Sequence, residues 1–335
     1  MQKYLNFRYI PSIPIFLTIM LYILVYILRL QQGGWEIKLN LFEPQRQTLS
    51  QKINTFLPSP QAELLSGMLL GQKQELPAKL RLALRDTSTI HIVVVSGQNL
   101  TLLAGIIINL SGLLTRRKAL ILALLTVIGY LLLSGVQIPA LRAALMLGLA
   151  YLAQFMGRQS DGLWALMLTA GFLLLVNPAW ISDLSFILSF LATFGVVFIA
   201  PILAGKLAKL PLFLRENMAV TLAAQLMVTP VITQNFHQLS LVSLPANLLV
   251  LWAVPYIMVS GALMVILGSV FELIGQVMSL IVGSLLTYFV YVVSFFASLP
   301  FSWKYIGEMP IIFWVGYYFV LAATVLSLKY VQTKN

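Results

Sequence analysis

The sequence predicts an all-α integral membrane protein, a polytopic bundle of about ten transmembrane helices, some broken or re-entrant. Hydrophobic residues make up 60% of its 335 residues and charged residues only 9%, whereas an ordinary soluble domain carries about 25% charged residues. Apolar runs of membrane-spanning length recur along the chain, and basic residues collect in alternate connections between them. This composition cannot cover a water-exposed surface, so the lipid bilayer is the expected surroundings.

The predicted spans follow from length. A helix needs about 20 apolar residues to cross a hydrocarbon core of about 30 Å. The predicted spans are 13–30, 91–114, 119–136, 138–156, 162–176, 184–204, 218–236, 241–269, 273–299 and 311–328. Full crossing is least certain for 138–156, which follows a tight connection, and for 162–176, which is short. Either of these two segments could instead be re-entrant.

The basic residues predict the orientation, with both termini in the cytoplasm. The net charge is +11, and cytoplasmic loops of membrane proteins are rich in Lys and Arg. The inner side then holds Lys3, Arg8, Arg116, Arg117, Lys118, Arg158, Lys206, Lys209, Arg215, Lys329 and Lys334. The short outer connections hold only Lys304. The long outer segment 31–90 is an exception, because it carries seven basic residues.

The first apolar run predicts an uncleaved anchor, since Arg29-Leu30-Gln31-Gln32 follows it rather than a small-residue cleavage site. Residues 31–61 are polar and predict a short outer loop. Between 62 and 89, leucines recur among charges, which is typical of amphipathic helices that lie in the membrane interface. Residues 206–215 show the same pattern on the inner side.

An apolar run is interrupted by Ser96, Gly97, Gln98 and Asn99, five residues after His91. Glycine with polar neighbours inside a span is typical of a broken helix that lines a cavity. Helix contact through small residues and amide hydrogen bonds explains the pattern equally well. Both interpretations are open.

Arg142 lies within a predicted span, where a cation costs about 2.5–3.5 kcal/mol on insertion scales. It should therefore face the interior or an anionic partner. A structural ion pair with Asp161 or Asp183 is one interpretation, and a cation that lines a pathway is the other.

Further polar positions accompany prolines. Asn177 and Asp183 form a turn before a span, and Asp183 is expected to cap the helix that begins near Leu184. Between Gln225 and Pro255, prolines and Asn247 predict kinked or interrupted helices.

The chemistry of an enzyme is not indicated. His91 and Ser96 have no third member to complete a nucleophilic site, and no phosphate-binding loop motif occurs. With no cysteine and no metal-ligand spacing around the two histidines, we expect no metal and no cofactor.

Several short motifs occur in an order that resembles the ComEC family of competence proteins. The matching segments are Leu65-Ser-Gly-Met-Leu-Leu-Gly71, His91-Ile-Val-Val-Val-Ser96-Gly97, Gln137-Ile-Pro139-Ala-Leu-Arg142-Ala143 with Met146, Gly157-Arg158-Gln-Ser-Asp161, Asn177-Pro178 with Asp183 and Phe186-Ile-Leu-Ser189-Phe190, and Ala224-Gln225 with Thr229-Pro230, Phe236, Leu239-Ser240 and Ala246-Asn247-Leu248. The resemblance covers roughly residues 62–267. It divides the chain into an N-terminal anchor and loop, 1–61, and a competence channel domain, 62–335.

The resemblance implies a channel in the bacterial cytoplasmic membrane that conducts single-stranded DNA inward during natural transformation. It implies as partners a cytoplasmic helicase-type ATPase and outer DNA-receptor or pilus proteins, and leaves a homo-oligomer open. Ile187 and Gln98-Asn99 depart from the family pattern, and this sequence shows neither an oligonucleotide-binding fold nor a metallo-β-lactamase-like domain. The expected DNA path or structural polar core is His91, Ser96, Gly97, Gln98, Asn99, Arg142, Arg158, Asp161, Asn177, Asp183, Gln225 and Asn247. A secondary transporter of a small or anionic solute is the alternative.

Overall fold

The computed structural model describes residues 12–33, 42–72, 76–93, 95–109 and 115–334, which are almost entirely helical. The helices are α1 (Ser12–Gln32), α2 (Glu43–Phe56), α3 (Gln61–Leu70), α4 (Ala78–Asp86), α5 (Ile90–Val93), α6 (Gly97–Asn109), α7 (Arg116–Leu133), α8 (Ile138–Phe155), α9 (Gly162–Val176), α10 (Leu184–Phe194), α11 (Ala200–Lys206), α12 (Leu212–Phe236), α13 (Ser243–Leu251), α14 (Ala253–Gly268), α15 (Glu272–Ala297) and α16 (Ile311–Lys334). A 3₁₀ turn, Pro178–Ser182, precedes α10, and a π-helical stretch, Gly195–Ile199, joins α10 to α11. Strands β1 (Gln238–Ser240) and β2 (Trp303–Tyr305) pair antiparallel.

Each of the ten predicted spans contains a helix, but ten crossings are not confirmed. Within the described part of the chain, four helices are long and apolar enough to cross a membrane: Ile138–Phe155, Leu184–Lys206, Glu272–Ala297 and Ile311–Tyr330. Helices α13 and α14 make a fifth if the bent pair is one span. Thus 138–156 has the length of a full crossing, whereas Gly162–Val176 is a shorter apolar helix. The predictions for residues 110–114 and for Lys3, Arg8, Lys38 and Lys73 lie outside the described residues.

The helices pack around three apolar clusters. The first surrounds α3 and is built with α14 and α15, where Leu65, Met258 and Leu286 are buried. The second lies between α6, α7 and α8, and the third joins α11 and α12 to α16. Because α10 contacts both α8 and α12, it connects the second cluster to the third.

Helices α2 and α3 form a hairpin. The start of α2 and the end of α3 lie at the same end of the bundle, and the turn between them lies at the other end. At its open end, Arg46 lies against Gly135 and Gly71 lies against the carbonyl of Ser134. At its tip, the Phe56 ring packs beside Gly275 and Gly268, next to the turn between α14 and α15. The hairpin is therefore re-entrant within the helical bundle.

A line of small residues on α15 receives this hairpin. Gly275, Ser279, Gly283 and Thr287 recur every fourth residue and therefore share one face of the helix. Phe56 packs at Gly275, Leu57 packs at Gly283, and Gln61 donates a hydrogen bond to Thr287 at 3.0 Å. Small side chains permit such close approach without a hydrophobic driving force between helices.

The hairpin corrects two expectations. Residues 43–56, expected to be part of an outer loop, form α2. Helix α3 does not have the one-sided burial of an interfacial helix, because residues 64–70 are all buried. Helix α4 does show one-sided burial, with Leu80 and Leu84 buried and Arg81 exposed. Residues 206–215 are not a separate interfacial helix; they contain the turn between α11 and α12.

Interruptions predicted between residues 225 and 255 are confirmed at one position. Helices α13 and α14 meet at Trp252 with a bend of 42°. The hydroxyl of Tyr288 donates to the carbonyl of Leu249 at 2.9 Å, immediately before this bend. A side-chain donor thus serves a main-chain acceptor where the regular helix stops.

Pro230, by contrast, lies inside an uninterrupted α12. Proline has no N–H, so the carbonyl four residues earlier, that of Leu226, loses its usual donor. The hydroxyl of Tyr317 in α16 donates to this carbonyl at 3.0 Å. Tyr318 donates to the next carbonyl, that of Met227, at 2.9 Å. Helix α16 therefore supplies the donor that Pro230 removes from α12, and a second donor beside it.

We expect Gly275→Ala to lower the melting temperature of the purified protein in detergent. A Cβ at Gly275 would fall 2.6 Å from the Phe56 ring and 2.8 Å from the Gly268 Cα, and overpacking of this kind costs about 1–3 kcal/mol. Gly316→Ala is the matched control, since a Cβ there meets nothing within 4 Å. Adding Phe56→Leu should restore part of the loss. Equal melting temperatures for Gly275→Ala and the unaltered protein would show that the hairpin tip is not seated there.

We expect Tyr317→Phe to cost about 1 kcal/mol of stability, because it leaves the partly buried carbonyl of Leu226 without a donor. The cost should shrink in a Pro230→Ala background, where the restored N–H can bond to Leu226. A double-mutant cycle measured by unfolding in detergent isolates this coupling. Tyr291→Phe, at a ring that is 69% exposed, serves as control. If the effects of Tyr317→Phe and Pro230→Ala on the unfolding free energy are additive, Tyr317 does not replace the donor that Pro230 removes.

Candidate functional site

Three motif segments that are distant in sequence meet in a polar junction, made of Met68, Gly71, Asn99, Tyr130 and Gln137. The carbonyl of Met68, near the end of α3, accepts from Asn99 Nδ2 at 3.3 Å and from the Tyr130 hydroxyl at 3.0 Å. Gln137 Nε2 donates to the carbonyl of Gly71 at 3.3 Å. These bonds fix α3 against α6, α7 and the start of α8.

The segment at Ser96 and Gly97 has features of both interpretations, because a helix begins there and its small and amide residues make interhelical contacts. Helix α5 ends at Val93 and α6 begins at Gly97. The Ser96 hydroxyl donates to Asn99 Oδ1 at 3.2 Å and accepts from the Asn99 N–H at 3.4 Å. Ser96 therefore supports the first turn of α6, and Asn99, which is buried, connects that turn to the polar junction.

Gly97 packs directly against Arg142. A Cβ at Gly97 would lie 3.0 Å from Arg142 Nη2 and 3.1 Å from the Ala143 Cβ. These distances are shorter than ordinary contacts of a side-chain carbon, so glycine allows the guanidinium to approach the start of α6. The Ser-Gly segment and the Pro-x-x-Arg-Ala segment therefore share one site.

Arg142 is 9% exposed and has no acidic partner among the described residues. Its Nη1 donates to the Thr193 hydroxyl in α10, and its Nε has no hydrogen-bond partner. The predicted ion pair with Asp161 or Asp183 is therefore wrong. An arginine in an apolar bundle with a neutral partner keeps an uncompensated positive charge.

Asp161, Asn177 and Asp183 instead stabilise helix starts. Asp161 Oδ1 accepts from the N–H groups of Leu163 and Trp164 at 2.9 and 3.1 Å. Asn177 Oδ1 accepts from the Ala179 N–H at 3.1 Å, at the start of the 3₁₀ turn. Asp183 Oδ1 accepts from Phe186 N–H at 3.0 Å, which confirms the predicted cap of α10. These caps satisfy donors that a helix terminus leaves free.

Gln225 and Asn247 contribute polar atoms to the bundle interior. Gln225 Oε1 and Asn247 Oδ1 are buried, and neither accepts a hydrogen bond within the described part of the chain. Asn247 Nδ2 donates to the Ser243 carbonyl at 2.8 Å. The Ser189 hydroxyl in α10 is likewise buried without a partner. Buried polar atoms without partners are uncommon in proteins, so each of them needs an explanation.

The structure does not bring His91, Gln98 and Arg158 into this group. His91 Nδ1 donates to the Ser88 carbonyl at 2.9 Å, whereas the Ser96 hydroxyl bonds to Asn99. Gln98 and Arg158 are exposed. Arg158 follows the far end of α8, and the axial rise of about 1.5 Å per residue places that end about 20 Å from Arg142.

Sequence reasoning missed Tyr130, Gln137 and Thr193, which complete the site. Each is a hydrogen-bonding side chain in or beside an apolar segment, and such residues need partners inside the protein. That signal is visible in the sequence, but the identity of each partner is not.

The fold and the site define a many-helix membrane protein with broken helices and a cation in its interior. Comparison with known proteins then gives the family. Residues 68–330 match the family model described as "Competence protein". The chain belongs to this family of competence proteins.

Two curated relatives support the assignment. The chain is 28% identical to ComE operon protein 3 of Bacillus subtilis (strain 168) over 211 residues, which are 62% of this chain and 27% of that protein. It is 29% identical to the uncharacterized protein YcaI of Escherichia coli (strain K12) over 244 residues, 68% of this chain and 32% of that protein. The chain thus spans about a third or less of the length of these relatives. No solved structure matches it significantly.

We expect the two donors to the Met68 carbonyl to act as substitutes for each other. Asn99→Ala and Tyr130→Phe each leave one donor in place, so either change alone should cost less than about 1 kcal/mol through this carbonyl. The double variant removes both donors and should cost about 1–3 kcal/mol more than the sum. Unfolding in detergent measures the four free energies. If the losses of unfolding free energy in the two single variants add up to the loss in the double variant, the two donors do not share this acceptor.

Proposed function

We propose that this protein conducts single-stranded DNA inward across the bacterial cytoplasmic membrane during natural transformation. Arg142 is the observation that carries the proposal: a buried cation with a neutral partner, and with no acidic partner among the described residues. Membership of the competence family supports DNA as the substrate.

The charge of Arg142 suits a phosphate group. A guanidinium offers five N–H donors in a planar fork that matches phosphate oxygens. Thr193 occupies Nη1, while Nε is buried without a partner and Nη2 faces the bare Gly97. A backbone phosphate that passes the α6 break would meet these remaining donors. Its negative charge would offset a cation that otherwise destabilises the bundle.

The neutral polar atoms suit passage rather than tight binding. Gln225 Oε1, Asn247 Oδ1 and the Ser189 hydroxyl, on α12, α13 and α10, are buried and have no hydrogen-bond partner among the described residues. Water or the polar edges of a transported strand can satisfy such groups. A conduit needs binding that is weak enough for release, and neutral groups meet this requirement better than a row of cations.

The proposed activity is transport and not catalysis. Ser96 and His91 bond to different residues, which gives no support to a nucleophile and base pair. Directional movement would then depend on a cytoplasmic helicase-type ATPase or the proton-motive force, and outer receptor or pilus proteins would deliver DNA. We propose both termini in the cytoplasm, in accordance with the charge pattern.

A secondary transporter of an anionic solute is the alternative, favoured by the 42° bend at Trp252 together with the buried arginine. Discontinuous helices near a buried charge are common at transporter binding sites. Flux of a small anion into vesicles, independent of DNA, would support this function.

The test is transformation of a deletion strain that expresses Arg142 variants at equal membrane levels. Arg142→Gln should lower transformation about tenfold or more, because a hydrogen bond to a charged group contributes about 1.5–3 kcal/mol. Arg142→Lys should retain part of the activity, since the charge remains but the fork is lost. Arg158→Gln, at an exposed arginine just after the end of α8, is the control and should change transformation less than threefold.

Normal transformation in Arg142→Gln, with the protein present in the membrane, would reject Arg142 as the phosphate-facing cation. Normal transformation in the deletion strain itself would reject the DNA function.

A further inference from the structure

Helix α4 carries an exposed basic face at the predicted outer end. Arg81 and Arg85 are one turn apart, and both are exposed, whereas Leu80 and Leu84 are buried against the bundle. Both arginines belong to the predicted outer segment 31–90, whose basic residues depart from the positive-inside rule. Long segments follow this rule poorly, so the orientation of the chain neither requires nor excludes cations on that side.

The ribbon of β1 and β2 presents aromatic rings at the same end. Trp303 is 42% exposed and Tyr305 is 67% exposed. Residues two apart on a strand point to the same face, so both rings share one face of the ribbon, and Lys304 points to the other. Gln238 is directly opposite Tyr305 and therefore lies on the ring-bearing face.

A polar link joins the ribbon to α4. Gln238 Nε2 donates to Asp86 Oδ1 at 3.0 Å. The Nε and Nη2 groups of Arg85 lie 3.4 Å from the same oxygen. The guanidinium of Arg85 is thereby held beside the strand position that opposes Tyr305. We group Arg81, Arg85, Trp303 and Tyr305 as the outer patch, because this link joins the helix and the ribbon that carry them.

This combination fits a single-stranded nucleic acid. Proteins that bind single strands without sequence preference combine cations along the backbone with aromatic rings on which bases stack. Alternate residues of a strand are about 6.6–6.8 Å apart, about twice the 3.4 Å spacing of stacked bases. Trp303 and Tyr305 are therefore spaced to hold one base between their rings while Arg81 and Arg85 contact phosphates.

Aromatic residues also form belts at membrane interfaces. A belt explains the two rings, but it does not explain the pair of exposed arginines on α4. The observations together favour a nucleic acid over lipid.

We propose that the outer patch is the docking surface where a single DNA strand first binds before it enters the bundle. This inference rests on the proposed DNA function and adds the receiving surface to it.

The test measures binding of a fluorescein-labelled 12-nucleotide oligo(dT) to the purified full chain in nanodiscs, over a series of salt concentrations. Trp303→Ala with Tyr305→Ala should raise the Kd about tenfold or more, as expected for the loss of base stacking. Arg81→Gln with Arg85→Gln should reduce the slope of log K against log salt by about 1.4, or about 0.7 for each cation.

Two matched controls lie outside the outer patch. Tyr291→Ala removes an equally exposed ring on α15, and Lys304→Gln removes the cation on the opposite face of the ribbon. Both should leave the Kd within twofold. A blunt duplex of the same length, whose bases are already stacked, should be insensitive to the ring substitutions.

An unchanged oligo(dT) Kd in both double variants would overturn the outer patch. So would a selective loss of binding to anionic lipid vesicles with DNA binding intact, which would assign the rings to the membrane interface. If Arg142→Gln abolishes transformation while both patch variants bind and transform normally, the docking surface is wrong and the conduit stands. If the deletion strain transforms normally, the conduit itself fails.

Discussion

The constraint on which this structure depends is that main-chain carbonyls freed inside a membrane bundle must find donors within the protein. Among the described residues, tyrosine hydroxyls meet this requirement at three places, near a helix end, before a bend and beside an internal proline. Tyr130 donates to the Met68 carbonyl at the end of α3, Tyr288 to Leu249 before the bend at Trp252, and Tyr317 to Leu226 beneath Pro230. A phenolic hydroxyl suits this role because its ring packs among apolar side chains while its tip donates. Helices can therefore be interrupted here without leaving the backbone unsatisfied.

Interrupted helices in turn permit a polar interior. The break before α6 places Gly97 against the Arg142 guanidinium. A residue with a larger side chain at this position would exclude the guanidinium. The π-helical stretch after α10 begins at Gly195, which packs against the main chain of Ala223 in α12. Both glycines bring backbone close to a neighbouring helix, and both lie beside segments that carry buried polar side chains. Glycines at irregular points of the helices thus permit both close packing and buried polar side chains.

The cations occupy three levels along the proposed direction of transport. Arg81 and Arg85 are at the predicted outer end, Arg142 is inside, and Arg116 and Arg117 are at the predicted inner end, where Arg117 lies 5.6 Å from the centre of the Phe155 ring. Exposed cations are screened by salt within about 10 Å, but a buried one is screened far less. On the proposed function, the outer cations would therefore govern capture, and Arg142 would act on the strand at short range.

The sequence by itself determined the features that arise from local chemistry. Asp183 was recognised as the cap of α10, and each of the ten predicted spans contains a helix, because both features depend on residues close together in the chain. Among the described residues, however, only four or five spans have the length and apolarity to cross a membrane. The Ser96-Gly97 sequence left a helix break and a helix contact as equal interpretations. Only the tertiary structure decided that α2 and α3 enter the bundle as a hairpin. The polar sequence of α2 gives no sign of this, since its tip is received by Gly275 and Gly283, more than 200 residues away. Tertiary structure likewise gave Arg142 a neutral partner, Thr193, and excluded the ion pair that was one of its two interpretations. Both aspartates already accept main-chain N–H bonds at helix starts, and the packing of α8 against α10 selected the hydroxyl.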